Sequence, residues 1–421
     1  MKRMNRIWML AVLTVATVLA GAVLVGCQEA PAPSPIETED TAKTGEIATE
    51  PETETETAAE TAAETAAEPQ SLKYKLRPDG GYEIVGIGNW TDPELVIPSE
   101  HEGLPVVDID SEAFRGATHL TSITIPNWDT TTIQWGWLLR DCVALTELIA
   151  TEDNPYAASF DGALYDKGLT KLLFCPAAKT SIAFPDSMTA VDHYAFAQNV
   201  GLQSLTIPDG VTSIGSRVFA WAGMSSITLP DSLTEIGDAF WHCPNLTEIR
   251  IPEGVQEFPC SMFEGCSSLV RVTLPARMTE IAHLAFSNCT SLTEIRLPDG
   301  ITNVDEFLFS GCTSLTEVVI PGSVTAIIDN AFKNCASLTE VTIPDGVTRI
   351  YSYAFQACTS LSSVVLPKTL TLIEDYVFWE CSALTDIYYA GTEEEWNAIE
   401  KGNRWDLEAG AYTVHFNCDL Q

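Results

Sequence analysis

The chain has 421 residues, 22 Lys and Arg against 58 Asp and Glu, and a formal net charge of −36. Subtracting the basic N-terminus and an acidic stretch at 28–70 leaves −28 on residues 71–421, which argues against nucleic acid or an anionic membrane surface as a partner. Cations and basic protein patches stay open.

Lys2, Arg3 and Arg6 precede an apolar run from Ile7 to Val25, and no acidic residue comes before Glu29. This is an export signal. The run is long enough to span a bilayer, but it ends in Leu24-Val25-Gly26-Cys27, which resembles the bacterial lipoprotein box. That resemblance implies a signal peptide over 1–26, with Cys27 lipidated and anchoring the chain at the outer face of a membrane. Residues 27–70 carry dense like charge and almost no core-forming side chains, so they are expected to form an extended acidic tether.

Structure is expected from Lys73. Tyr74 to Val85, with Pro78-Asp79-Gly80-Gly81 in the middle, reads as a hairpin within an N-terminal cap over 71–98. A repeat begins at Val107, Ile109, Ala113, Phe114, Leu120, Ile123 and Ile125. An irregular copy follows, with Leu139 and Cys142 at the Phe and Cys places. Residues 156–176 leave the frame and read as an inserted hairpin. The array then runs to Ile387, with Phe196, Phe219, Phe240, Phe263, Phe286, Phe309, Phe332, Phe355 and Phe378 spaced by 23 residues, except for one gap of 21.

Units of this size cannot bury their own apolar residues and must stack, so residues 99–388 are expected to be a solenoid. Within a copy, Leu-x-x-Ile-x-Ile-Pro (Leu246 to Pro252) reads as a strand, Pro-Asp-Gly (344–346) as a turn, and Ala-Phe-x-x-Cys as a tight, partly 3₁₀ turn. About eleven coils at ~4.8 Å would stack into a rod roughly 50 Å long. At the C-terminus (389–421), Thr392 and Glu395 fit a helix capping box, Trp396 and Ile399 close the last coil, and Ala411–Phe416 adds a strand.

The frame Ile-Gly-x-x-Ala-Phe-x-x-Cys-x-x-Leu-x-x-Ile-x-Ile-Pro, and the closing Tyr389 to Ile399, resemble the BspA-like leucine-rich-repeat surface proteins. The resemblance covers about 74–416. It implies a right-handed leucine-rich-repeat solenoid, rich in β-structure with short 3₁₀ or helical turns, and a cell-surface role in adhesion or ligand binding without catalysis.

Twelve cysteines occur, and eight (Cys142, Cys243, Cys266, Cys289, Cys312, Cys335, Cys358, Cys381) share one repeat position. Equivalent positions point the same way into the core, so these read as buried free thiols acting as small apolar filler. Cys175, Cys260 and Cys418 lie off the column, and their state is left open. No Cys-x-x-Cys pair, His-Glu-x-x-His, Gly-x-Ser-x-Gly or phosphate loop occurs, so neither a metal nor a cofactor is expected. A polysaccharide lyase on a parallel β-helix also takes about 23 residues per coil, but such chemistry gathers basic groups in one groove; here they are sparse.

Two surface features remain. Outward strand positions form a column Ser122, Glu147, Ser204, Ser226, Glu248, Arg271, Glu294, Glu317, Glu340, Ser363 and Asp386, beside one rich in threonine. Arg271 is placed to pair with Glu248 and Glu294, while Glu317 and Glu340 are expected to face each other, as a solvated face or as a site for a basic partner or a divalent cation. Trp221 and Trp241 follow the repeating Phe, and Trp135 and Trp137 lie in the irregular coil; they read as packed against a neighbouring turn or as a stacking surface for sugars. The expected partner is an extracellular protein or glycan, with the membrane touched only through the lipid; a structural spacer is the remaining alternative.

Overall fold

The computed structural model of the protein describes residues 70–127, 129 and 131–418. The expected leader, Cys27 and nearly all of the acidic tether lie outside the described residues.

Each coil begins with a short strand whose central β-branched or leucine side chain is buried between exposed neighbours, as in Glu248–Arg250 and Glu294–Arg296. These strands stack in parallel and in register: Ser204 on Ser226, Glu248 on Arg271, Glu340 on Ser363, Ser363 on Asp386. A proline-initiated turn follows. Gly346 takes φ 112° there, a conformation that favours glycine. A two-residue return strand such as Arg349–Ile350 stacks in a second parallel column.

The turn carrying the repeating Phe joins the two columns on the far side, and it is not 3₁₀. No 3₁₀ segment forms among the described residues, because a left-handed residue stands two places after each repeating Phe and, at all but Phe114 and Phe240, another stands two places before it. Asn330 and Asn334, Tyr353 and Ala357, and Tyr376 and Glu380 all have φ between 57° and 62°. Each such non-glycine residue costs about 1–2 kcal/mol. The offset comes from the next coil: the N–H groups of Asn330, Phe332 and Asn334 donate to the carbonyls of Ser352, Ala354 and Gln356 at 3.1, 2.8 and 2.8 Å. Short turns survive between the left-handed positions, as Cys335 N–H to the Phe332 carbonyl at 3.2 Å.

This spacing lays the Phe rings one on another. Successive centroids from Phe196 to Phe378 are 5.1–5.6 Å apart, with planes within 22°, an offset stack. The eight column cysteines are buried and free, and they do more than fill space. Each Sγ donates to the carbonyl of the repeating residue one coil back, at 2.9–3.2 Å, from Cys142 on Phe114 to Cys381 on Phe355. Burial pushes the Cys312 thiol up to about 12, so the donor proton stays on sulfur.

The first repeat starts one residue earlier than expected. Val106 is buried and Val107 is 42% exposed, since the inward pair is spaced by three residues, Val106 and Ile109, like Val324 and Ile327. The stack has about 14 turns rather than eleven. Glu94–Val96 pairs below Ser122–Ile125, and Thr413–His415 above Asp386–Tyr389, so segments outside the regular frame extend the same column.

The insertion is a three-stranded meander, Ala157–Phe160, Ala163–Asp166 and Lys171–Phe174, in place of one hairpin. Its last strand joins the return column in parallel, Leu172 on Val191. Alternate side chains face opposite ways. Ala163, Tyr165 and Leu172 enter the core of the long array, whereas Ala157, Leu164 and Phe174 enter that of the first coils. The meander is a wall with a core on each side.

At the other end, the Thr392 hydroxyl accepts the Glu395 N–H at 3.2 Å and the Glu395 carboxylate accepts the Thr392 N–H at 2.8 Å, capping the helix Glu393–Ala398. Trp396 and Ile399 are buried over the last coil. The Lys401 ammonium donates to the Trp396 and Ile399 carbonyls and lies 4.3 Å from the Trp396 ring centroid.

Replacing Phe309 by Ala removes one ring from the middle of the stack and should destabilise the domain by about 3–5 kcal/mol. Chemical denaturation measures this; a midpoint equal to wild type would mean that the ring contributes nothing.

Candidate binding surfaces

The strand alternation places two residues of each strand outward. In Glu248-Ile249-Arg250 and Glu294-Ile295-Arg296 the isoleucine is buried and both charged residues are exposed. Arg250 and Arg296 therefore share the face of the acidic column. The sequence reading missed them, although the Ile-x-Ile alternation marks their position.

Arg271 pairs with Glu294 through Nε and Oε1 at 3.6 Å, with both side chains more than half exposed; its expected pairing with Glu248 does not form. The Arg250 guanidinium turns instead to Asp231 at 2.9 Å. Glu248, Glu317 and Glu340 make no ion pair among the described residues. Exposed pairs of this kind contribute ~0–1 kcal/mol, so the column stays free to exchange partners.

The strands of Glu317 and Glu340 are neighbours in the stack but do not form a hydrogen-bonded ladder with each other. Glu317 pairs in register with Glu294, and Glu340 with Ser363, while their own strands belong to separate sheets. Further back along the stack, Thr228, Glu248, Arg250, Arg271 and Thr273 line a shallow depression of about 380 Å³. The threonine column beside it has a structural task. The Thr316 hydroxyl donates to the Thr293 carbonyl at 3.0 Å and Thr385 to Ser362 at 3.2 Å, each one coil back.

The tryptophans gather at the Phe turns, across the junction that the meander creates. Trp135 belongs to the core of the first coils, with its indole N–H buried and unpartnered. Trp137 is half-buried and lies 5.2 Å from the Tyr194 ring. Trp221 meets Trp241 edge-on at 4.5 Å. Trp241 is buried against Ala197 and Ala220, and its indole N–H donates to Glu264 at 3.1 Å. The Arg217 guanidinium covers the Trp241 ring at 3.9 Å and pairs with Asp238 at 2.8 Å. Of the four tryptophans singled out from the sequence, Trp135 and Trp241 are packing, while Trp137 and Trp221 are half-buried. Trp137 and Tyr194 join Trp221 and Trp241 only because the meander brings together turns far apart in the chain, which no repeat spacing encodes.

Gln198 fastens that junction. Its side-chain oxygen accepts the Asp141 N–H and its amide donates to the Asp141 carboxylate, both at 2.8 Å, across 57 residues. Gly136 permits the close approach, since a Cβ there would lie 2.2 Å from Tyr194 Cβ.

Among the described residues, no group of three or more His, Cys, Asp or Glu side chains converges as a metal ion requires. No helix among them is long and apolar enough to cross a membrane.

The sequence matches the BspA type leucine rich repeat region in six copies, over residues 96–158, 169–293 and 279–398, more than half of the chain. No curated protein matches it. Among solved structures, the chain is similar to a leucine rich cell surface protein from Faecalibacterium prausnitzii, with 25% identity and a TM-score of 0.48, over 78% of this chain and 96% of that one. It is also similar to a leucine-rich repeat protein from Bacteroides ovatus, with 22% identity and a TM-score of 0.46, over 82% and 98%. A leucine-rich repeat protein from Eubacterium ventriosum aligns with 18% identity and a TM-score of 0.44, over 68% and 92%.

Gln198→Ala should cost about 1–3 kcal/mol, since it removes two hydrogen bonds and leaves the half-buried Asp141 N–H without its acceptor. Thermal unfolding measures the loss; an unchanged melting temperature would show that Gln198 does not hold the junction.

Proposed function

The chain belongs to the BspA-type leucine-rich-repeat family, and from that membership we propose that it is a non-catalytic binding protein, exported and lipid-anchored through Cys27 at the outer face of a bacterial membrane. The anchoring rests on Lys2, Arg3 and Arg6 before the apolar run, and on Leu24-Val25-Gly26-Cys27 at its end. The acidic stretch at 27–70 serves as the spacer that carries the solenoid away from the lipid.

Recognition is assigned to the outward column, and the observation that carries it is that Glu317 and Glu340 have no neutralising cation among the described residues. An exposed carboxylate without a local pair keeps its full field for an incoming group. The partner that fits is a basic segment of an extracellular protein, with Glu294 and Glu248 adding contacts and Arg250 and Arg271 setting register. A second reading, recognition of glycans, is favoured by the half-buried Trp137 and Trp221 at the turns.

Two experiments test these assignments. In the first, Cys27→Ser should leave an unprocessed precursor that takes up no labelled fatty acid; labelling equal to wild type would remove the lipid anchor. In the second, residues 71–421 are screened against extracellular matrix proteins, and the captured partner is titrated against the Glu317→Gln, Glu340→Gln double variant. Two exposed pairs lost should weaken binding by about 2- to 30-fold and flatten its salt dependence. The same affinity and salt slope in both proteins would reduce the column to a solvated face.

A further inference from the structure

Two arginines lie among the turn aromatics, and they are not alike. Arg217 is fully engaged, with Asp238 at 2.8 Å and the Trp241 ring beneath it. Arg140 is not. Its side chain is only 10% exposed, yet its nearest carboxylate, Asp141, lies 3.9 Å from Nε, too far for a hydrogen bond. Nε has no hydrogen-bond partner, and neither terminal nitrogen donates to any described residue. Asp141 is already taken by the Gln198 amide at 2.8 Å and the Arg115 guanidinium at 3.5 Å. A buried guanidinium N–H without an acceptor is costly. What surrounds it is aromatic: its Cζ lies 5.3 Å from the Trp137 centroid and 6.0 Å from that of Trp221.

We propose that Arg140, framed by Trp137 and Trp221, is a recognition site for the carboxylate of an acidic sugar residue, whose ring lies against the exposed part of one indole. A guanidinium fork matches a carboxylate in two parallel hydrogen bonds. The exposed part of a half-buried indole offers a flat apolar surface to the C–H side of a pyranose ring, which an extended acidic peptide would leave unused. Asp141 and Asp238 beside the site repel a dense polyanion, so one carboxylate per sugar suits it and a heavily sulfated chain does not. The site rests on the reading of this protein as a binding protein and is independent of the acidic column.

The test titrates the folded chain with tetragalacturonate, using tryptophan fluorescence and calorimetry, with maltotetraose as the neutral control and tetraglutamate as the peptide control. Wild type should bind tetragalacturonate and bind both controls at least tenfold more weakly. Arg140→Gln should weaken binding about 10- to 100-fold, the worth of a charge-assisted hydrogen bond. Arg140→Lys, which keeps charge and bulk without the fork, should fall between, and it replaces the glutamine variant if that one fails to fold. The Glu317→Gln, Glu340→Gln variant should bind the sugar like wild type, so failure of the acidic column and failure of this site are told apart. The proposal is overturned if wild type does not bind tetragalacturonate or binds maltotetraose equally well. It is also overturned if tetraglutamate binds as tightly, which would make the site one for acidic peptides, or if a folded Arg140 variant keeps wild-type affinity.

Discussion

A coil of this protein cannot satisfy its own Phe turn. With left-handed residues on both sides of the ring, the alternate N–H groups of the turn point along the stack, and their acceptors are carbonyls of the following coil. Burying such donors unpaired costs about 1–3 kcal/mol each, so the turn exists only where the next coil is in place. The Phe stack, the cysteine donors and the parallel strands all inherit their spacing from this one requirement. It also explains why the ends are closed, by the capped helix with Trp396 at one and by an antiparallel hairpin, Lys73–Leu76 with Tyr82–Gly86, at the other.

The meander is where this logic is suspended. It inserts antiparallel strands with their own hydrogen bonds, gives each core a separate face, and leaves the Phe turns on either side without a shared ladder. Side chains take over there: the Gln198 amide does for Asp141 what a backbone carbonyl does elsewhere. The aromatic cluster and the unpartnered Arg140 lie at this same discontinuity. Regular coils present the same turn again and again; a break in regularity is where a distinct surface can arise.

The solenoid was legible because repetition multiplies a weak signal. One Ala-Phe-x-x-Cys segment says little, but a Phe that returns every 23 residues fixes the stacking level of every strand. Three things were not legible, for separate reasons. Two places after the repeating Phe the left-handed residue is glycine only at Gly116, Gly265 and Gly311, while Asn, Tyr, Ala and Glu fill such positions elsewhere, so a 3₁₀ turn was expected instead. Val106 and Val107 are identical in type, and only the three-residue spacing to Ile109 decides which one turns inward. The Arg271 pairing depends on rotamers of exposed side chains, which register alone does not choose. The outward column was found as residues, but its hydrogen-bonded ladder is interrupted between Arg271–Thr273 and Glu294–Arg296 and between Glu317–Val319 and Glu340–Thr342, which repeat spacing does not reveal.

The cysteine donors set a race between two chemistries. In the finished fold, each column thiol is buried and hydrogen-bonded to a carbonyl, out of reach of oxidants in solution. In the unfolded chain, the same eight sulfurs are ordinary accessible thiols on a regular spacing, and any two of them can be joined. A disulfide formed then would remove two S–H donors and tie coils that must separate into levels. In an oxidising compartment the stack must therefore zip before it is oxidised. A solenoid suits that demand in one respect, since folding can start at any coil and spread to its neighbours.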